Sequence, residues 1–288
     1  MKNLLLSLML VFSIAAMACS EDGTSGFVEE NNLYIPADAK LLGGLTEEQF
    51  NNVIDKIETI YSPIATNMGG KLSIARKWDD GTVNANATRS GSSWKVNMYG
   101  GLARHETITE DGFALVLCHE LGHQLGGAPK VKMFLNKWAS NEGQSDYFAA
   151  LKCLRKTFLN DDNGTIVSAL NAPETLVTAC TKNHTNKDDK NICIRTGMSG
   201  VSVANLFAAL RTSAPAKFET PDTTVVSSTN DSHPAYQCRL DTFFQGSLCG
   251  IGMNEDVSQQ EEVQGTCHKS LGHSIGLRPL CWFKPKVN

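Results

Sequence analysis

The sequence predicts an α+β domain behind an export leader, on three observations. Apolar residues recur at helical spacing over residues 46–62, apolar and polar residues alternate in short runs between 72 and 98, and residues 109–127 form an apolar helix carrying two histidines four apart. A loop-rich stretch with most of the cysteines follows. The expected architecture is a small antiparallel or mixed sheet with helices against it, then a cross-linked C-terminal part.

The first nineteen residues hold one lysine, an apolar run from Leu4 to Met17 and small residues at Ala16 and Ala18, the pattern of an export signal and too short for a lasting membrane span. Ala16-Met17-Ala18-Cys19 resembles a bacterial lipobox, in which Cys19 becomes the lipidated first residue; ordinary cleavage after Ala18 is the alternative. Lipidation would hold a soluble domain to a membrane surface in the cell envelope, periplasmic or outer-membrane, and plain cleavage would release it as a secreted protein. The expected divisions are residues 1–18 as signal, 19–45 as polar tether and lead-in, and 46–288 as one domain. That domain subdivides at 46–127, 128–240 and 241–288.

Nine cysteines, less Cys19, leave an even set in an oxidising compartment. Cys180 with Cys193 is the expected sequence-local pair. Cys118 and Cys153 either join their two helices or stay as buried thiols. No CxxC pair suggests a cysteine-bound metal. A formal charge of −4 over 288 residues disfavours nucleic acid as a partner.

Thr46 opens the first helix with a capping box to Gln49, and Phe50, Val53, Ile54, Ile57, Ile60 and Tyr61 line one face until Pro63, the expected stop. Residues 72–78 and 83–88, separated by Asp79-Asp80-Gly81, read as a hairpin. Trp94, Val96 and Met98 alternate in a third strand, and residues 94–99 are the candidate cleft border.

Residues 109–127 organise the chain. Thr109 is a plausible N-cap, Glu110 and Asp111 suit the positive end of a helix, and Gly126-Gly127 end it. Within it lies His119-Glu120-Leu121-Gly122-His123. Residues four apart share a helical face, so both imidazoles can address one Zn²⁺, and Glu120 lies where a carboxylate can take a proton from a water. A further ligand six residues after His123 is excluded because Pro129 stands there. The next acidic pair on one helical face is Glu142 and Asp146. Glu142 would complete a His₂Glu set, and Asp146 would accept the distal N–H of His119.

Beyond Glu142 a helix runs through residues 149–158, Asp161 to Gly164 form a turn, and Val201 to Leu210 form a helix beneath the site. Residues 220–230 are polar. His105 and His184 are expected at the surface rather than as ligands, and His268 and His273, near Cys267, are the residues that a second metal would use.

The HELGH motif with Glu142 and Asp146 resembles the gluzincin zinc peptidases, and residues 141–148 are similar to the Asn-Glu-x-x-Ser-Asp stretch of thermolysin relatives. His233-Pro234 followed by Arg239-Leu240 resembles a segment of the family that holds HtpX, the CAAX prenyl proteases and BepA. This resemblance implies a zincin-like fold and a zinc metalloendopeptidase acting on peptide or protein substrates, with one Zn²⁺ on His119, His123 and Glu142 and with Glu120 as general base. It adds His233 and Arg239 as catalytic candidates, with Tyr236 as a further donor, and it raises His233 as a fourth ligand holding the enzyme latent. The chain departs from that family in its short interval from His123 to Glu142 and in lacking the membrane helices of HtpX. Two other classes share such a ligand set, a zinc-binding chaperone-like protein and a hydrolase of cell-wall peptides.

Overall fold

The structure, a computed structural model, describes residues 26–39, 43–132 and 137–286. The expected export signal and Cys19 lie outside the described residues.

Helix α1 (Glu47–Asn67) starts at the predicted capping box and buries Phe50, Ile54, Ile57, Tyr61 and Ala65 along one stripe. It passes through Pro63 rather than stopping there. Proline removes one intrahelical hydrogen bond, at a cost of about 3 kcal/mol in a helix interior. The buried Tyr61 and Ala65 on either side hold the last turn onto the core and offset that loss.

Strands β1 (Lys71–Lys77), β2 (Ala85–Ser90) and β3 (Ser93–Tyr99) form a sheet of order β1-β3-β2. The expected hairpin of the first two strands is not formed. β3 is the centre, parallel to β1 and antiparallel to β2. Trp94, Val96 and Met98 are almost wholly buried, and an apolar strand gains most from neighbours on both sides. Residues 94–99, the expected cleft border, therefore form no free edge; the edges of the sheet are β1 and, on the other side, β2. The lead-in runs along the start of that edge: Phe27 N–H donates to the Ala85 carbonyl, and Tyr34 forms an antiparallel bridge with Thr82.

After the short helix α2 (Gly100–Arg104) comes α3 (Glu110–Leu125), buried nearly all round, with Thr109 capping Gly112 N–H and Gly126 at its end. A loop leads to α4 (Glu142–Phe148), capped by Asn141, which continues through a wider turn (Ala149–Cys153) into α5 (Leu154–Phe158). Cys118 and Cys153 are joined. A cross-link closing a loop of 35 residues contributes about 4 kcal/mol through the unfolded chain, and here it ties together the two helices that carry the metal-ligand candidates.

Helices α6 (Asn163–Ser168), α7 (Glu174–Asn183), α8 (Lys187–Arg211) and α9 (Tyr236–Leu248) complete the frame. Asp162 caps α6, so residues 161–164 are a helix start as well as a turn. The predicted helix at 201–210 is the second half of the longer α8. Arg195 on α8 pairs with both oxygens of Asp111 and with Asp161, anchoring the start of α3. The segment 220–230 has no regular structure, yet Val226 and Asn230 N–H groups donate to the carbonyls of Leu280 and Trp282. Cys180–Cys193, Cys238–Cys281 and Cys249–Cys267 are joined, the first as expected, and the last two lie in a small apolar cluster around Trp282.

Candidate metal centre

His119, His123 and Glu142 converge. One ligand atom from each lies within 4.8 Å of the others, and all three residues are buried. Glu142 Oε2 is 3.2 Å from His119 Nε2, and Oε1 is 3.8 Å from His123 Nε2. Ligand atoms around a tetrahedral zinc ion are separated by about 3.3 Å, so the spacing suits one ion. Among the described residues neither Nε2 makes a hydrogen bond, nor does either oxygen of Glu120, although all are buried. Buried polar atoms are seldom left in that condition. A divalent cation would satisfy the imidazoles.

The outer nitrogens are fixed. His119 Nδ1 donates to Asp146 Oδ1 at 2.7 Å, as expected from the sequence. His123 Nδ1 donates to the Ser140 carbonyl at 2.9 Å, with Ser145 Oγ at 3.1 Å from the same nitrogen. Both bonds leave Nε2 as the inward-facing atom. Ser140 and Ser145 were missed from sequence; their only signal is adjacency to Asn141 and Glu142 in the capping turn.

The two helices meet closely at Gly122. A Cβ there would lie 2.9 Å from Ser145 Cα and from its carbonyl oxygen. Both are backbone atoms, so the neighbour cannot simply rotate away. Gly122→Ala is expected to push α4 outward, costing about 1–3 kcal/mol of stability and lowering metal affinity at least tenfold. Metal titration beside urea unfolding checks this, and unchanged affinity would count against the helix contact as what sets the spacing. Gln144 holds the other side of α4, donating to the Gly126 carbonyl and accepting from Arg278.

Electrostatics follow from burial. Burial, the largest cause, pushes Glu120 up to about 8, with the nearby His119 opposing and Glu142 adding. For His119 burial disfavours the charged form, but Asp146 and Glu142 outweigh it and raise the imidazole to about 9. His123, without a carboxylate on its outer nitrogen, is held at about 4 by burial. Glu142 lies well below the usual carboxylate range, because His233, His123 and His119 together overcome its burial.

Arg239 is fully buried and committed. Its Nε and Nη2 donate to the two oxygens of Asp146, and Nη1 donates to the Phe27 carbonyl. It thus reaches His119 only through Asp146, and among the described residues donates to no other residue of the centre. His233 Nε2 lies 3.3 Å from Glu142 Oε2 and donates to the Gly26 carbonyl at 2.8 Å, using the nitrogen a fourth ligand would need. Tyr236, expected as a further donor, stacks its ring on Phe207, and its hydroxyl accepts from Arg211.

His105 and His184 are buried rather than exposed. His105 bonds to Thr107, and His184 donates to the Ser247 carbonyl; both are satisfied core histidines. His268 caps a short turn, with Nδ1 accepting from Ser270 N–H. Asp222, Cys238 and Cys281 also cluster, but both cysteines are spent in a disulfide.

No protein-family model, curated protein or solved structure matches this chain.

Proposed function

We propose that the protein is a zinc-dependent endopeptidase of zincin-like fold, exported to the cell envelope and related to the gluzincins. The observation that carries the reading is the buried Glu120 carboxylate, without a hydrogen bond, beside two inward-facing Nε2 atoms and Glu142. A structural metal site needs no such base. The four disulfides support an oxidising compartment.

His119, His123 and Glu142 would hold the ion. Bound there, zinc would acidify a water and polarise a peptide carbonyl. The chain's own groups do the rest. Glu120 takes the proton of the attacking water and passes it to the departing amine. His233 Nε2–H, next to Glu142, donates to the carbonyl oxygen as negative charge gathers on it. Asp146 and Arg239 hold His119 in the tautomer that faces inward.

The test joins metal content with hydrolysis. One equivalent of zinc per chain and casein cleavage abolished by a chelator are expected. Bound zinc without cleavage of casein or of purified peptidoglycan would sink the peptidase reading and favour a chaperone-like protein. Cleavage of peptidoglycan alone would move the substrate to cell-wall peptides.

A further inference from the structure

Within the lead-in, Phe27 lies against the candidate centre. Phe27 is wholly buried, its ring edge-on to His119 with centroids 5.0 Å apart, stacked on Phe207 and under the Arg239 guanidinium. Its N–H donates to the Ala85 carbonyl at 2.9 Å, and its carbonyl accepts from Arg239. Val28 exchanges two hydrogen bonds with the side chain of Asn84. Tyr34 and Thr82 extend the pairing in antiparallel sense. The segment follows the edge of the sheet through one backbone bond, one side-chain clamp and one isolated bridge, without forming a fourth strand.

The Gly26–Phe27 peptide unit has the anchors a scissile bond requires. On its nitrogen side the N–H is held by the edge strand. On its carbonyl side the oxygen accepts from His233 Nε2, itself 3.3 Å from Glu142 Oε2. Gly26 has φ of +83°, and a Cβ there would lie 2.9 Å from the Asn84 side chain and 3.1 Å from the Ala85 carbonyl oxygen. Glycine is what lets this carbonyl turn towards the histidine.

We propose that the protein hydrolyses its own chain between Gly26 and Phe27, so that the residues before Phe27 are its first substrate. The inference rests on the peptidase reading. In the step, water oxygen bonds to the Gly26 carbonyl carbon, and Glu120 takes the water proton. The carbon–nitrogen bond to Phe27 breaks, and the proton passes from Glu120 to the Phe27 nitrogen, leaving an amine on Phe27 and on Gly26 a carboxylic acid that loses the second water proton to solvent. Phe27 stays in the core after the cut, because its ring contacts and its bonds to Ala85 and Arg239 lie on the retained side. The Gly26 carbonyl, held by His233, is the contact that leaves with the severed side.

Intact-mass measurement of the full chain and its Glu120→Gln variant, each incubated with zinc, tests the step. The unaltered protein is expected to begin at Phe27, at a rate constant over a hundredfold range of protein concentration, and the variant to keep its upstream residues. Rates rising with concentration would overturn self-cleavage in favour of cutting between molecules. Casein cleavage with an intact N-terminal segment would overturn this inference and leave the peptidase reading standing. Failure of both would remove the peptidase reading and this one together. A second readout needs no activity: in the metal-free variant the Phe27 amide should exchange hydrogen at least a hundredfold more slowly than in unfolded chain. Free exchange there would show that the segment is not docked, and the inference would fall.

Discussion

Glu120→Gln is expected to bind zinc as tightly as the unaltered chain and to hydrolyse casein roughly 10²–10⁴ times more slowly, the range for loss of a general base. The side chain keeps its length and shape, so packing of α3 is preserved where every neighbour is buried. It loses the ability to take a proton. Because burial raises the Glu120 carboxyl to about 8, the neutral amide matches the protonated form of the metal-free protein and should not destabilise it. His123→Ala is the contrast: it removes a ligand, and both metal and hydrolysis should be lost. Zinc titration and initial rates on the same preparations separate the two outcomes. Full activity in the glutamine variant would remove Glu120 from the chemistry.

Much of this site was legible because helical periodicity is a local rule. The four-residue interval from His119 to His123 fixes their common face, the interval from Glu142 to Asp146 does the same, and the Asp146–His119 hydrogen bond follows once the helices cross. The capping residues Thr46 and Thr109 were equally local. Pairing of strands is not. β1 lies against β3 in parallel, an arrangement that alternation in each run cannot specify, and so residues 94–99, expected at a border, are the central strand. Burial of isolated residues was hidden for the same reason. His184 finds the Ser247 carbonyl 63 positions away, and Phe27 meets Arg239 across 212 positions. Gly26-Phe27-Val28 did carry a faint signal, two apolar residues behind a glycine in a polar run.

Arg239→Met is expected to destabilise the protein by about 3–5 kcal/mol, the cost of leaving one member of a buried ion pair without its partner, and to weaken zinc binding about 10–100-fold through His119. Asp146 and Arg239 are both fully buried, with contacts of 2.9 and 2.8 Å. Burial would raise the Asp146 carboxyl, but Arg239 and His119 outweigh it and hold the group below its ordinary value. A depressed carboxyl contributes stability that is complete above its unfolded-state pKa and fades as pH falls through the folded one. Without Arg239 that depression shrinks, so the acid-unfolding midpoint of the variant should move to higher pH. Asp146→Leu alone strands the guanidinium and should be as costly. Asp146→Leu with Arg239→Met removes both charges and should cost less than the two single changes added together, as coupled neighbours do. Zinc affinity should not recover in the double variant, since His119 still lacks its outer acceptor. Urea unfolding and zinc titration across the four proteins distinguish this from a general packing defect, in which the single costs would simply add and affinity would follow stability. Simple additivity would show that Arg239 stabilises the core without positioning the metal ligand.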